Sequence, residues 1–383
     1  MAFFSFSLLD DSFSFNSMRL QSNLTYYSKD ITLWKELNDK KKEIQLKYVK
    51  FENRSKINIF GKKLLICLPP KFGLGDAIEY SIAINSIIQS NKFSKIGIAF
   101  CSNYNFVFKN IFSFKNIYPD LISSIEKNKY DTIFHLTLEI SALKFQKYKR
   151  SDIVLEICKH FNVQISKYKI KRNETEDKSI KKISIFPVST SVIRSMPHKV
   201  IGTINKNFED EYNIEIIIDN SDYSNYLQEI FFKTNVVFKK PTNIENLIKE
   251  IFNVNFGVFI DSGPLHVAKL FNRPGVFIET SVSKKILLRD NDHISTVKNK
   301  YRSQYCNGPC GLTDIFSFMK NVGCYETNQL SFEDIKRLKS LKDLQRRNKK
   351  ENNSHFILNP VGCIKKIDIE NIIQTINYKL KEC

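Results

Sequence analysis

The sequence predicts an α/β protein made of two Rossmann-like domains that face a central cleft. Three observations carry that expectation. From Lys62 onward, short apolar runs of strand character alternate with amphipathic segments of helical length, the rhythm of a mostly parallel sheet wrapped by helices. The rhythm breaks at residues 167–182, KYKIKRNETEDKSIKK, which carry almost no apolar side chains and read as an interdomain linker, and it then restarts. At 383 residues the chain is long enough for two domains of ordinary size and a sizeable core.

Residues 1–60 stand outside that rhythm. A Phe/Ser-rich start leads into a charged helical stretch over 31–47 that holds the only tryptophan, Trp34. This reads as an accessory segment, either a solvated helix or a surface that packs on the first domain or touches a membrane. In 61–166 the predicted elements are a strand over Leu64–Leu68, a helix over Asp76–Gln89 and a strand over Lys95–Phe100. A short helix over Tyr104–Phe112, a strand over Asp131–Leu136 and a helix over Asp152–Phe161 follow. In 183–383 they are a strand over Ile183–Val188, a helix from about Pro197, a strand over Ile214–Ile218 and a helix over Tyr223–Phe232. Then come a strand over Val236–Phe238, a helix over Asn243–Phe252 and a strand over Phe256–Ile260. A last amphipathic helix, about Ile367–Lys381, has an apolar stripe that could pack on either domain. Ligands in open α/β sheets bind beyond the carboxyl ends of strands, so the loops after the strands are where chemistry is sought.

The net charge is +19, from 59 Lys and Arg against 40 Asp and Glu. A basic surface attracts anionic lipid, phosphorylated glycan or nucleic acid. Joint enrichment in Lys, Asn, Ile and Phe leaves compositional drift as an alternative. Lysine is spread along the chain and no Arg-rich stripe interleaved with aromatics is present, so nucleic acid is not expected. No apolar run approaches the ~18 residues of a membrane-spanning helix. The start, MAFFSFSLLDDSF, lacks a basic flank and is interrupted by Asp10-Asp11, so no signal peptide is expected and a cytoplasmic location is.

Of eight cysteines, Cys67, Cys101 and Cys158 sit in apolar stretches as small core residues. Cys306, Cys310, Cys324 and Cys363 lie in an irregular C-terminal part. Their spacing could hold a metal, but the last gap is too long for a compact zinc ribbon, and free thiols in a reducing compartment are the reading adopted. His135, His160, His198, His293 and His355 show no ligand spacing. Asp290-Asn291-Asp292 reads as a solvated loop, so no metal site is expected.

Three loops carry the chemistry. In LLICLPPKFGLGDAIEYS a strand ends in a Pro/Gly loop and Gly75-Asp76 opens a helix. Gly73 and Gly75 lack a third glycine at 78, and no G-K-[ST] follows, so neither a dinucleotide fingerprint nor a P-loop is present. Asp76 is placed at a strand's carboxyl end, either as a cleft carboxylate or as a cap on its helix. In ISIFPVSTSVIRSMPHKVI the strand ends in Ser189-Thr190-Ser191, followed by Arg194, a set suited to phosphate or to a polar surface. In FGVFIDSGPLHVAKLFNRPGVFIET a strand runs into Asp261-Ser262-Gly263-Pro264 and a helix carrying His266. Several free N–H groups at that terminus suit a diphosphate, Ser262 can cap the helix, and Gly263 admits a ligand close to the backbone.

Taken together these elements resemble glycosyltransferase family 9, the lipopolysaccharide heptosyltransferase-like family. Its hallmark is D-[ST]-G-x-x-H-x-A-A-x-x-x-x-P, matched by Asp261, Ser262, Gly263, His266, Ala268 and Pro274, and the resemblance spans roughly residues 62–380. It implies a GT-B fold, with an N-terminal acceptor domain over 61–166 and a C-terminal nucleotide-sugar-binding domain over 183–383. It implies inverting transfer of a sugar, commonly heptose from ADP-heptose, to a lipopolysaccharide core or related anionic glycan. By position, Asp76 looks like the general base in a loop with Gly73 and Gly75, and Arg194 falls where the family has a diphosphate-neutralising lysine. Ser262, Gly263 and His266 look like donor phosphate and ribose contacts, with Ser189, Thr190, Ser191 and Asp261 beside them. No metal and no cofactor are implied, since the nucleotide sugar is itself a substrate; the partners implied are that donor and a glycan or glycolipid acceptor, and the basic surface suits peripheral contact with the inner face of the membrane. The chain departs from the family at Arg194, at Met196 in place of a tryptophan and at Lys269 in place of the second alanine. A catalytically silent nucleotide-sugar-binding relative, a GT-B enzyme with another donor and acceptor, and a GT-B epimerase are the alternatives.

Overall fold

The computed structural model describes residues 61–69, 72–100, 104–119, 121–136, 150–166, 182–312 and 357–382, with 324 and 326. Before residue 61 it describes 3–8, 14–15, 18–22, 24–28, 31–39 and 44–49. The chain divides into two compact units, Met1–Leu143 with Ile153–Ser166, and Lys144–Asp152 with Lys167–Cys383. The expected linker over 167–182 lies outside the described residues, except Lys182.

The first unit opens with β1 (Phe3–Leu8), the short pair β2 (Ser14–Phe15) and β3 (Met18–Arg19), and β4 (Thr25–Ser28). Helix α1 (Ile31–Asp39) and strand β5 (Ile44–Val49) follow. The helix expected over 31–47 is thus corrected to a helix and a strand. The reason is legible in IQLKYV, whose apolar and polar residues alternate with the period of a strand, and β5 pairs antiparallel with β1 over six positions. Phe6, Leu20, Tyr26, Leu33, Leu37 and Leu121 pack as one apolar cluster against which Trp34 lies.

The α/β rhythm starts with β6 (Lys63–Cys67), α2 (Leu74–Gln89), β7 (Lys95–Phe100), a π-helical turn (Val107–Ile111) and β8 (Ile117–Pro119). Next come β9 (Leu121–Ser123), α3 (Ser124–Lys127), β10 (Thr132–His135) and α4 (Ile153–His160). The parallel sheet runs β10-β6-β7-β8, while β9 extends the antiparallel sheet in the order β5-β1-β4-β9. The first sixty residues therefore share a sheet with the strand that follows β8. Helix α2 is apolar nearly all round and is buried from Leu74 to Ile87 apart from Asp76, as a helix with no polar face must be. Its hydroxyls are satisfied locally, Ser81 and Ser86 each donating to the carbonyl four residues earlier at 2.8 Å. Cys67 and Cys158 are buried as expected; Cys101 lies outside the described residues.

The second unit holds β11 (Lys182–Phe186), a 3-10 turn (Val192–Arg194), α5 (His198–Phe208) and β12 (Asn213–Ile217). Helix α6 (Asp222–Ile230), β13 (Val237–Lys239), α7 (Ile244–Phe252), β14 (Phe256–Phe259) and α8 (Gly263–Leu270) follow. The unit ends with β15 (Gly275–Ile278), α9 (Lys284–Leu287), β16 (Ile294–Val297), α10 (Gly362–Lys365) and α11 (Ile369–Glu382). All six strands are parallel in the order β13-β12-β11-β14-β15-β16. Every residue of β14 and β15 is buried, which fits continuous apolar runs covered on both faces. Gly257 and Gly275 face each other across these strands, and a Cβ on Gly275 would run into the Gly257 carbonyl. The last helix docks on this unit, placing Ile372 and Ile376, each 0% exposed, in the core with Ile183, Val258 and Val276. Among the described residues no helix is long and apolar enough to cross a membrane.

Candidate functional site

The strand order fixes where a ligand can sit. From β11 the chain winds outward through β12 and β13, then returns to β14 beside β11 and winds the other way. The carboxyl ends of β11 and β14 therefore flank a topological switch point. Two of the three loops singled out in the sequence emerge there.

The loop after β11 is closed by its own backbone: Met196 N–H donates to the Pro187 carbonyl at 2.8 Å. Ser195 Oγ accepts the Ser189 N–H at 3.2 Å and donates to the Ser191 carbonyl at 3.2 Å. Buried Tyr223 donates its hydroxyl to the Met196 carbonyl. Ser191 is buried, whereas Thr190 is exposed. From this frame Ser189 Oγ donates to the Asp261 carbonyl at 3.0 Å. Arg194 Nη1 donates to the same carbonyl at 3.2 Å and lies 3.3 Å from Asp261 Oδ2, while Nη2 donates to Thr190 Oγ1 at 2.9 Å. The structure thus gathers Ser189, Thr190, Arg194 and Asp261 at the switch point. The guanidinium is partly engaged by Asp261, whose side chain is 3% exposed. An anion bound there would share this cation with the carboxylate.

The start of α8 corrects two expectations. Ser262 occupies the N-cap position in extended conformation, but its hydroxyl makes no capping bond and instead donates to the Ile260 carbonyl at 3.4 Å. The terminus also offers fewer free donors than expected, because Pro264 carries no N–H and Leu265 N–H bonds the Ser262 carbonyl at 3.2 Å. Gly263 begins the helix and His266 is 2% exposed within it. Lys269 donates Nζ to the Leu287 carbonyl at 2.7 Å and so ties α8 to α9.

Asp76, Gly73 and Gly75 belong to the first unit. Asp76 stands at the third position of α2, where Oδ2 accepts the Gly73 N–H at 3.1 Å. That carboxylate sits well beside the helix's positive end, is half-buried, and adds to the burial that raises the Tyr104 pKa. Gly75 is buried and Gly73 exposed. Asp290-Asn291-Asp292 precedes β16, at the amino edge of the sheet opposite the switch point; Asp290 and Asp292 are exposed and Asn291 Oδ1 accepts the Ile294 N–H at 3.2 Å.

The four C-terminal cysteines are free thiols, as expected, but their spacing did not reveal that they meet. Cys306, Cys310, Cys324 and Cys363 line one cavity of about 10 Å³ with Ile193, Ser281 and Glu326, room for one water-sized sphere. Burial first, then Cys310, Cys324 and Glu326, push the Cys306 thiol up to about 12. Burial, then Cys324, Cys310 and Cys306, raise Cys363 likewise. Ile193, in the turn that carries Arg194, packs on Ile364 in a cluster with Cys324 and Cys363. Among the described residues no three His, Cys, Asp or Glu side chains are already gathered as a metal site.

No protein-family model matches the chain, and no curated protein matches its sequence. Among solved structures, the iron-containing dodecameric glycosyltransferase TibC from enterotoxigenic E. coli matches at TM-score 0.53 and 10% identity, covering 100% of this chain and 92% of that one. A glycosyltransferase of family 9 from Veillonella parvula matches at TM-score 0.48 and 11% identity over 84% of this chain and 98% of that one. The E. coli ADP-heptose lps heptosyltransferase II matches at TM-score 0.47 and 12% identity over 62% of this chain and 90% of that one. The fold is therefore an α/β one with parallel sheets like those of GT-B glycosyltransferases.

Proposed function

We propose that the chain is an inverting, metal-independent glycosyltransferase that uses a nucleoside-diphosphate sugar, with ADP-heptose as donor and an anionic lipopolysaccharide-type glycan as acceptor. The observation that carries this reading is the convergence of Ser189 and Arg194 on Asp261 at the switch point, with Thr190 bonded to the same guanidinium, beside the start of α8. The leaving nucleoside diphosphate gains negative charge as the glycosidic bond breaks, and a guanidinium with backbone and hydroxyl donors stabilises that charge. Asp76 takes the proton of the acceptor hydroxyl as its oxygen attacks the anomeric carbon. The family resemblance and a fold shared with TibC support the assignment, and TibC has been solved with ADP-D-beta-D-heptose. The test is incubation with ADP-heptose, with and without a lipopolysaccharide-core acceptor. Acceptor-dependent release of ADP with inversion at the anomeric carbon is expected. Conversion of the sugar nucleotide without acceptor would make the chain an epimerase, and no turnover of any nucleotide sugar would make it a silent relative.

The thiol cavity supports a second element of this reading, a structural metal apart from the chemistry. Four thiolates are a soft donor set that suits zinc or iron in tetrahedral geometry. Cys306, Cys310, Cys324 and Cys363 would close on the ion and brace Ile193, and with it the turn that carries Arg194. Elemental analysis of chain purified without chelator is expected to give one ion per chain, lost in Cys306→Ser and Cys310→Ser. Metal-free protein whose four thiols all titrate in the native state would refute it.

A further inference from the structure

A second cavity opens beyond the switch point, at the carboxyl ends of β15 and β16. It measures about 380 Å³, within the range of small-ligand sites. The segment that leaves β16 supplies one wall. Lys298, Lys300 and Arg302 alternate along it and are exposed, while Asn299 and Tyr301 between them are half-buried. This is the period of an extended chain, which sends alternate side chains the same way. The inward residues are structural: Asn299 donates its N–H to Glu279 Oε1 at 3.2 Å and its amide to the Thr280 carbonyl, and Tyr301 N–H donates to Asn299 Oδ1 at 2.9 Å. Lys366 approaches from the opposite wall, between α10 and α11.

Four cations thus face one cavity that holds two carboxylates, and both carboxylates are engaged elsewhere. Glu279 accepts the N–H groups of Lys284 at 2.7 Å and Asn299 at 3.2 Å. Asp368 accepts the Asn371 N–H at 3.1 Å, capping α11. Among the described residues no ion pair joins either carboxylate to any of the four cations. Arg302 is fixed by donating Nη1 to the carbonyls of Tyr301 at 2.8 Å and Gly308 at 2.6 Å. Four cations against two carboxylates leave the cavity net positive, which favours an anion from outside, and Ile278, Val297 and Ile367 give the cavity an apolar floor.

We propose that this cavity is a subsite for a phosphoryl group carried on a sugar, the anionic part of the acceptor glycan. The assignment of the sugar to an acceptor rests on the glycosyltransferase reading; the binding of a phosphorylated sugar does not. The lysines attract the phosphoryl oxygens as point charges, Arg302 presents a fixed guanidinium, and the aliphatic floor takes the less polar face of the ring. The cavity lies on the same rim of the sheet as the donor loops, about 10 Å along from β14 at the usual strand spacing, so one extended substrate can reach both.

The test is calorimetry on the full chain with mannose 6-phosphate, inorganic phosphate and mannose, in the presence and absence of saturating ADP. Mannose 6-phosphate is expected to bind with ADP present, more tightly than inorganic phosphate, with mannose silent. The variant Lys298→Gln/Lys300→Gln/Lys366→Gln is expected to weaken that binding at least tenfold and leave ADP affinity unchanged. These three side chains are exposed, so the variant keeps its fold. Competition between ADP and mannose 6-phosphate, equal affinity for inorganic phosphate, or full binding by the triple variant would each overturn the proposal. Failure of ADP to bind while mannose 6-phosphate still does would refute the donor reading and leave the subsite standing.

Discussion

Removing Arg194 should show whether the switch point is a pre-formed anion site or an ordinary polar loop. In the folded chain its guanidinium lies 3.3 Å from Asp261 Oδ2 and donates to the Asp261 carbonyl and Thr190 Oγ1. The two side chains are only 12% and 3% exposed. Deleting one partner of a sequestered pair strands the other charge, at about 3–5 kcal/mol. Arg194 retains some contact with water, which places the expected loss for Arg194→Met near the low end, about 3 kcal/mol. A loss of that size lowers the melting temperature by roughly 6–12 °C for a unit of this length. Asp261→Asn should cost less, and the double variant Arg194→Met/Asp261→Asn should recover about 2 kcal/mol relative to the sum of the singles. Arg194→Lys keeps the charge but loses the fork to Thr190 and should fall between wild type and Arg194→Met. Thermal melts of the four proteins and calorimetry with ADP form the assay. Additive singles, or Arg194→Met with unchanged melting temperature and ADP affinity, would show that Arg194 and Asp261 are not a coupled pair and form no anion site.

Asp76→Asn should reduce sugar transfer by about 10²- to 10⁴-fold while leaving ADP affinity unchanged, and its melting temperature should barely move because an amide oxygen can still accept the Gly73 N–H; intact turnover would remove Asp76 as base. His160 sits against Phe134 and Phe161 at ring separations of 4.8 and 5.4 Å, and burial lowers its pKa. The unfolded chain then binds the proton more readily, so this contribution to stability is complete above pH ~6.5 and is lost as pH falls toward the folded value; melting curves of His160→Gln should show a shallower acid-side slope than wild type. Ile376→Ala should destabilise the second unit by about 2–5 kcal/mol, measured by denaturant midpoint, since the side chain is fully buried in its core.

Much of the second unit was legible because its strands are buried on both faces and read as unbroken apolar runs; FGVF and GVFI lie in adjacent parallel strands. The short strands were not: IYP and LIS are three residues each, and ISTV sets two polar residues between its only two apolar ones. The stretch over 31–47 misled because charge density masked the switch from helical to strand period at Ile44. At the site, the residue types after β11 and β14 were legible, but their wiring was not. Nothing in D-S-G-P-L states that Ser262 turns back to the Ile260 carbonyl, or that Arg194 reaches Asp261, 67 residues away. The four cysteines were visible one by one, but the 38 residues between Cys324 and Cys363 hid their common cavity. Lysines 298, 300 and 366 carried no signal within a chain rich in lysine throughout.

Binding of a nucleoside diphosphate at the switch point of the second unit, as proposed, is decided by calorimetric titration of the purified chain with ADP, UDP, GDP and CDP, with and without added magnesium. Selective binding of ADP that does not depend on added magnesium and that Arg194→Met reduces is expected. Failure of all four nucleotides to bind would contradict it.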